Sequence, residues 1–138
     1  MPVSQKIMKA VAVVCFLAVT TVGLSQGTRL VGGWEEQDPS SDPKYLQLAH
    51  FAIAQQTTGL TYYQTVLRLL KVETQVVAGV NYKLIFETAP TNCKFSDGPY
   101  SSERCQPTSN QASAACTAII YERPWDNFKA VTSFRCHK

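Results

Sequence analysis

Catalytic chemistry has little to work with in this chain. It contains two histidines, His50 and His137, and neither has a Cys, Ser or Asp placed to form a nucleophile–base pair with it. There is no His-Glu-x-x-His pair, no glycine-rich phosphate cradle and no paired-carboxylate pattern, so catalysis is not expected. No basic run interleaved with aromatics is present, which argues against nucleic acid as a partner. Past the N-terminal segment no apolar run approaches the ~20 residues that a membrane-crossing helix needs. Asn-x-Ser/Thr is absent, so N-glycosylation is not expected. The cysteines lack the short paired gaps of a zinc site, and neither metal nor cofactor is expected.

The first 27 residues have the form of a secretory signal peptide. Lys6 and Lys9 make a basic start, Ala10 to Val22 is mostly apolar, and small residues allow cleavage after Ser25 or Gly27. The apolar stretch is shorter than the ~20 residues a spanning helix needs, so a retained anchor is not expected. Residues 28–138 then form one secreted domain of about 110 residues, enough for a small single core. Its formal charge drops from +3 to about +1 once Lys6 and Lys9 are gone, too little to identify a partner. Cleavage also removes Cys15 and leaves Cys93, Cys105, Cys116 and Cys136, which in a short secreted chain read as two disulfides. Sequential pairing, Cys93–Cys105 and Cys116–Cys136, closes two local loops and is preferred among the three possible connectivities.

Along the domain, Thr28 to Ser41 is punctuated by Gly and Pro and reads as a mobile arm. Asp42-Pro43 is an N-cap followed by proline at the first helical position, and Lys44 to Thr58 lacks Gly and Pro. Tyr45, Leu48, Ala49, Ala52 and Ile53 form one stripe of that helix, Leu46 and Phe51 broaden it, and Gly59 ends it. Tyr62 to Gln75 is strand-like, with apolar residues on both phases as in a largely covered strand. Val80 to Glu87 alternates, with Val80, Tyr82, Leu84 and Phe86 on one face. Ala89 to Gln111 is rich in turn residues and reads as a long loop held by a disulfide. Ala112 to Tyr121 and Phe128 to Cys136 are two further strands joined by Glu122 to Asn127. The fold class is α+β, one helix packed on an antiparallel sheet of at least four strands.

The turn between the first two strands is unusual. Hairpin turns are normally built from Asn, Asp, Gly, Ser or Pro, yet here the sequence is Gln75-Val76-Val77-Ala78-Gly79, with Gly79 as its only turn former. Taken alone the run reads more readily as buried strand; as a wet apolar tip it suits insertion into a partner's groove. Two other segments are apolar or flexible on predicted arms and loops: Arg29-Leu30-Val31-Gly32-Gly33 and Pro124-Trp125.

In this order, behind a signal peptide and a single helix, these elements resemble the secreted type 2 cystatins, inhibitors of papain-like cysteine proteases. The resemblance covers the whole mature chain: Leu30-Val31-Gly32-Gly33, Gln75-Val76-Val77-Ala78-Gly79, Val80-Asn81-Tyr82, Pro124-Trp125 and the four cysteines. The run Glu87-Thr88-Ala89-Pro90-Thr91-Asn92-Cys93 is similar to cystatins of blood-feeding arthropods such as ticks. The resemblance implies one long helix across a five-stranded antiparallel sheet, which requires an extra short strand around Gly33 to Glu36, and sequential disulfides. It implies a monomer acting as a reversible, tight-binding competitive inhibitor of cathepsin L, S or C type proteases through a non-covalent wedge. Leu30 and Val31 would occupy the third and second non-primed pockets, Gly32 would turn the chain away, Gln75 to Gly79 would fill the cleft centre and Trp125 would cover the primed side. Family members that also inhibit legumain carry an Asn after the helix. The matching stretch here, Gln55-Gln56-Thr57-Thr58-Gly59-Leu60, has none, and no legumain inhibition is expected. The rival reading is a non-inhibitory secreted cystatin-fold module for binding or host defence, which usually lacks one or more wedge elements.

Overall fold

The computed structural model describes residues 33–138. Five strands and one helix follow in the order β1 (Glu35–Gln37), α1 (Pro43–Ala54), β2 (Tyr62–Val77), β3 (Gly79–Lys94), β4 (Ala114–Arg123) and β5 (Phe128–His137). The sheet is antiparallel throughout, with spatial order β1-β2-β3-β4-β5. The expected extra strand is present, displaced slightly to Glu35–Gln37. Those three residues pair with β2 and are therefore not part of a mobile arm; Leu30, Val31 and Gly32 lie outside the described residues.

The helix starts where its sequence signals place it. Asp42 is extended (φ −147°), its carboxylate accepts the Lys44 backbone N–H at 2.9 Å, and Pro43 occupies the first turn. It ends at Ala54, four residues short of the expected Thr58. The N–H groups of Gln55 and Gln56 turn back to Ala52 and Ile53 in a tightened last turn, and β-branched Thr57 and Thr58 favour leaving the helix. Gly59, at φ +76°, belongs to the following turn.

The core lies between this helix and one sheet face. Leu48, Ala49, Ala52 and Ile53 bury against Val66, Val72, Tyr82, Leu84, Phe86, Cys116, Ala118 and Ile120. Strand register brings Tyr82 opposite Ile120, Leu84 opposite Ala118 and Phe86 opposite Cys116, so that alternating residues of two strands form one apolar surface. Alanines 49, 52 and 118, all fully buried, let helix and sheet approach closely. Leu46 is exposed, and the buried helix face is narrower than the sequence suggested.

Apolar residues occur on both phases of β2 because its pairing with β3 is irregular. The register shifts between Val66 and Arg68 and again between Leu69 and Lys71, each time with one extra residue on β2. Such shifts exchange inward and outward positions, and Leu70, in the second one, is exposed. The expected loop from Ala89 is also corrected: β3 continues through Pro90 to Lys94. Beyond Thr88 the far edge of β3 is no longer covered by β4, so the missing N–H of Pro90 breaks no ladder.

Both sequential disulfides form. Cys116 and Cys136 face each other across β4 and β5, while Cys93–Cys105 ties the end of β3 to the connecting segment. In the chain-entropy model each closed loop contributes about 3 kcal/mol. The segment is also held by Tyr100, whose hydroxyl is 2.5 Å from His50 Nδ1 and 2.8 Å from Thr65 Oγ1.

Candidate functional site

At the β2–β3 tip, Val77 pairs with Gly79 and only Ala78 lies outside the ladder. Gly79 has φ +112°, a conformation that a side chain resists. Space excludes one as well: a Cβ would stand 2.5 Å from the Glu122 carbonyl oxygen and 2.9 Å from Tyr121 Cε1. Two pairs below the tip, Gln75 is opposite Asn81, whose Nδ2 donates to Gln75 Oε1 at 3.0 Å. Val76 is 61% exposed and Val77 40%. Apolar side chains thus project into water from a backbone that is held firmly from below.

The β4–β5 connection lies beside that tip, because Val80 at the start of β3 pairs with Glu122 near the end of β4. Pro124–Asp126 forms one 3-10 turn, closed by Asn127 in the left-handed region (φ 51°). Arg123 Nε bridges to Asp126 Oδ2 at 2.9 Å across the turn, and its guanidinium lies 4.3 Å from the Phe128 ring centroid. Trp125, at the apex, is 67% exposed. A tryptophan so wet contributes little to the fold and leaves a large apolar face available.

The third element enters at the same end. Glu35 pairs antiparallel with Thr74, so Trp34 and Gly33 precede it on the side of Gln75 and Val76. Lys83 Nζ sits 4.7 Å from the Trp34 ring centroid and fixes the indole against the sheet. Of the sequence-predicted site residues, Gly33, Gln75 to Gly79, Pro124 and Trp125 are therefore gathered at one end of the sheet.

Sequence reasoning missed the contacts that support this end. Lys44 Nζ, from the first turn of α1, lies 2.5 Å from Glu122 Oε1, and Tyr82 donates its hydroxyl to the same oxygen at 3.4 Å. The bond to Glu122 raises the Lys44 pKa above its ordinary value, while burial raises that of Tyr82. Glu122 is only 14% exposed at its side chain, and this pairing supplies its countercharge. On the other sheet face Tyr121 donates its hydroxyl to the Ala78 carbonyl. No local signal in the sequence marks such partners, which are 78 and 43 residues apart.

Among the described residues no free cysteine thiol accompanies these surfaces. All four cysteines among the described residues are in disulfides, and no group of three potential metal ligands occurs there. His50 is engaged with Tyr100, and burial lowers its pKa.

The cystatin domain family model matches residues 32–125. Cystatin-2 of Ornithodoros moubata is 49% identical over 123 residues, covering 89% of this chain and 95% of its own. Mialostatin of Ixodes ricinus is 50% identical over 129 residues, covering 92% of this chain and 91% of its own. The crystal structure of mialostatin, described as a gut cystatin of that hard tick, superposes with a TM-score of 0.73 at 53% identity, over 76% of this chain and 97% of its own. That of a salivary cystatin from the soft tick Ornithodoros moubata gives 0.75 at 49% identity, over 79% of this chain and all of its own. With its family match, its helix-on-sheet fold and its paired cysteines, this chain belongs to the cystatins, cysteine protease inhibitors directed at papain-like enzymes and not themselves enzymes.

Proposed function

We propose that this protein is a secreted, reversible, tight-binding competitive inhibitor of cathepsin L, S or C type proteases, acting as a non-covalent wedge. The observation that carries the reading is the co-location of two firmly held hairpin tips, bearing exposed Val76, Val77 and Trp125, with the base of the N-terminal arm. Tips held in one conformation lose little entropy on docking, which favours tight binding without a covalent bond.

In this mechanism Gln75 to Gly79 enters the cleft beside the catalytic Cys–His pair and Trp125 covers the primed side. Leu30 and Val31 fill the non-primed pockets. Gly32 and Gly33 then lead the chain away before a peptide bond comes within the ~3–3.5 Å required for attack. The inhibitor blocks the site without becoming a substrate. The turn Gln55 to Leu60 offers no Asn, so legumain is not a target. Secretion follows from the signal-like residues 1–27 and from two disulfides that require an oxidising compartment. The inhibitor acts as a monomer.

Titration of papain with the mature chain tests the proposal. Stoichiometric, competitive loss of activity is expected, with intact inhibitor recovered after dissociation. Absence of inhibition at micromolar concentration, or steady cleavage of the chain, overturns it.

A further inference from the structure

The two tips are joined by a side chain that belongs to neither. Tyr121 lies on β4 opposite Asn81, three residues before Pro124, on the sheet face away from the helix. Its ring lies over Gly79, close enough that a Cβ there would meet Cε1 at 2.9 Å, and its hydroxyl donates to the Ala78 carbonyl. Ala78 is the one tip residue outside the β2–β3 ladder, and this bond supplies a partner for its carbonyl.

Behind the ring, the second loop is tied to the same side chain. The Phe128 ring meets Tyr121 edge-on at 6.4 Å between centroids. The Arg123 guanidinium sits 5.6 Å from the Tyr121 centroid and 4.3 Å from that of Phe128, while its Nε bridges to Asp126. A continuous set of contacts therefore runs from Ala78 through Tyr121, Arg123 and Phe128 to the turn that carries Trp125.

We infer that Tyr121 is a positioning residue that fixes the Ala78 tip against the Trp125 turn, so that both are presented to a protease as one preformed edge. It acts through the tip rather than by touching the enzyme. The inference rests on the wedge reading above and adds a residue that determines how well the wedge is pre-organised. Without the hydroxyl the tip samples more conformations, and binding must first order it.

Tyr121→Phe removes only the hydroxyl and leaves the ring packed on Gly79. The test compares backbone 15N order parameters of the free protein with the inhibition constant for papain. The expected result is a fall in the order parameters of Ala78 and Gly79 from the rigid value of ~0.85 toward ~0.6. Inhibition should weaken roughly three- to tenfold, the usual scale for one lost hydrogen bond. Unchanged order at Ala78 and Gly79 overturns the inference whatever happens to inhibition, as does a loosened tip in a variant that inhibits papain as strongly as an inhibitory wild type. A wild-type chain that fails to inhibit papain, with a tip that still loosens in the variant, overturns the wedge reading and leaves the tip-fixing role of Tyr121 supported.

Discussion

Gly79 and Glu122 approach so closely that a Cβ on residue 79 would stand 2.5 Å from the Glu122 carbonyl oxygen. That contact brings the two hairpins together at the end of the sheet where the apolar tips emerge. The neighbour is backbone and cannot swing aside, and φ at Gly79 is +112°. Gly79→Ala is therefore expected to cost at least ~2 kcal/mol, from positive-φ strain plus displacement of β4. Urea unfolding measures the loss, and inhibition should weaken with it because the tip moves. Full stability in the alanine variant would contradict the close approach.

Lys44 and Glu122 tie the helix start to the same end of β4. Lys44→Met is expected to destabilise by about 1 kcal/mol, above a typical exposed pair and below the 3–5 kcal/mol of a fully buried one. A double-mutant cycle with Glu122→Gln should recover a coupling of similar size. Additive effects would mean that the pair contributes nothing specific.

His50 makes stability depend on pH. Burial lowers its pKa, so the folded state favours neutral imidazole, which is hydrogen-bonded through Nδ1 to the Tyr100 hydroxyl. Its contribution is fully present above the unfolded value of about 6.5. It is lost as pH falls from there through the depressed folded value, since the unfolded chain takes up the proton first. His50→Gln keeps an acceptor without the titration. Urea unfolding across that range should show a smaller loss on acidification in the variant than in the wild type. Parallel curves would assign the pH dependence to other groups.

Much of this fold is legible from local chemistry. Asp42-Pro43 marks the helix start, alternation from Val80 to Phe86 marks the central strand, and the apolar Gln75 to Gly79 turn marks the tip. What escapes depends on partners distant in sequence. Pro90 suggests a loop, and only the absence of β4 beyond Thr88 explains why the strand continues through it. Apolar residues on both phases of β2 suggest a covered strand, whereas two register shifts produce them. The helix end at Ala54 depends on how its last turn tightens, which Thr57 and Thr58 only hint at. Lys44 meets Glu122 across 78 residues of chain and Tyr121 meets Ala78 across 43, and no window of sequence shows either meeting.

The central claim is that inhibition comes from the wedge, and the inhibition constant for papain of the wild type, Trp125→Ala and a chain deleted through Gly32 tests it most directly. Trp125 is 67% exposed, so its removal should leave unfolding within ~0.5 kcal/mol of the wild type. Binding should weaken by ~2 kcal/mol, about thirtyfold, as for a tryptophan buried at an interface. Deletion through Gly32 removes Leu30 and Val31 and should also weaken inhibition. If both changes left the inhibition constant of the folded protein unaltered, the wedge account would be wrong.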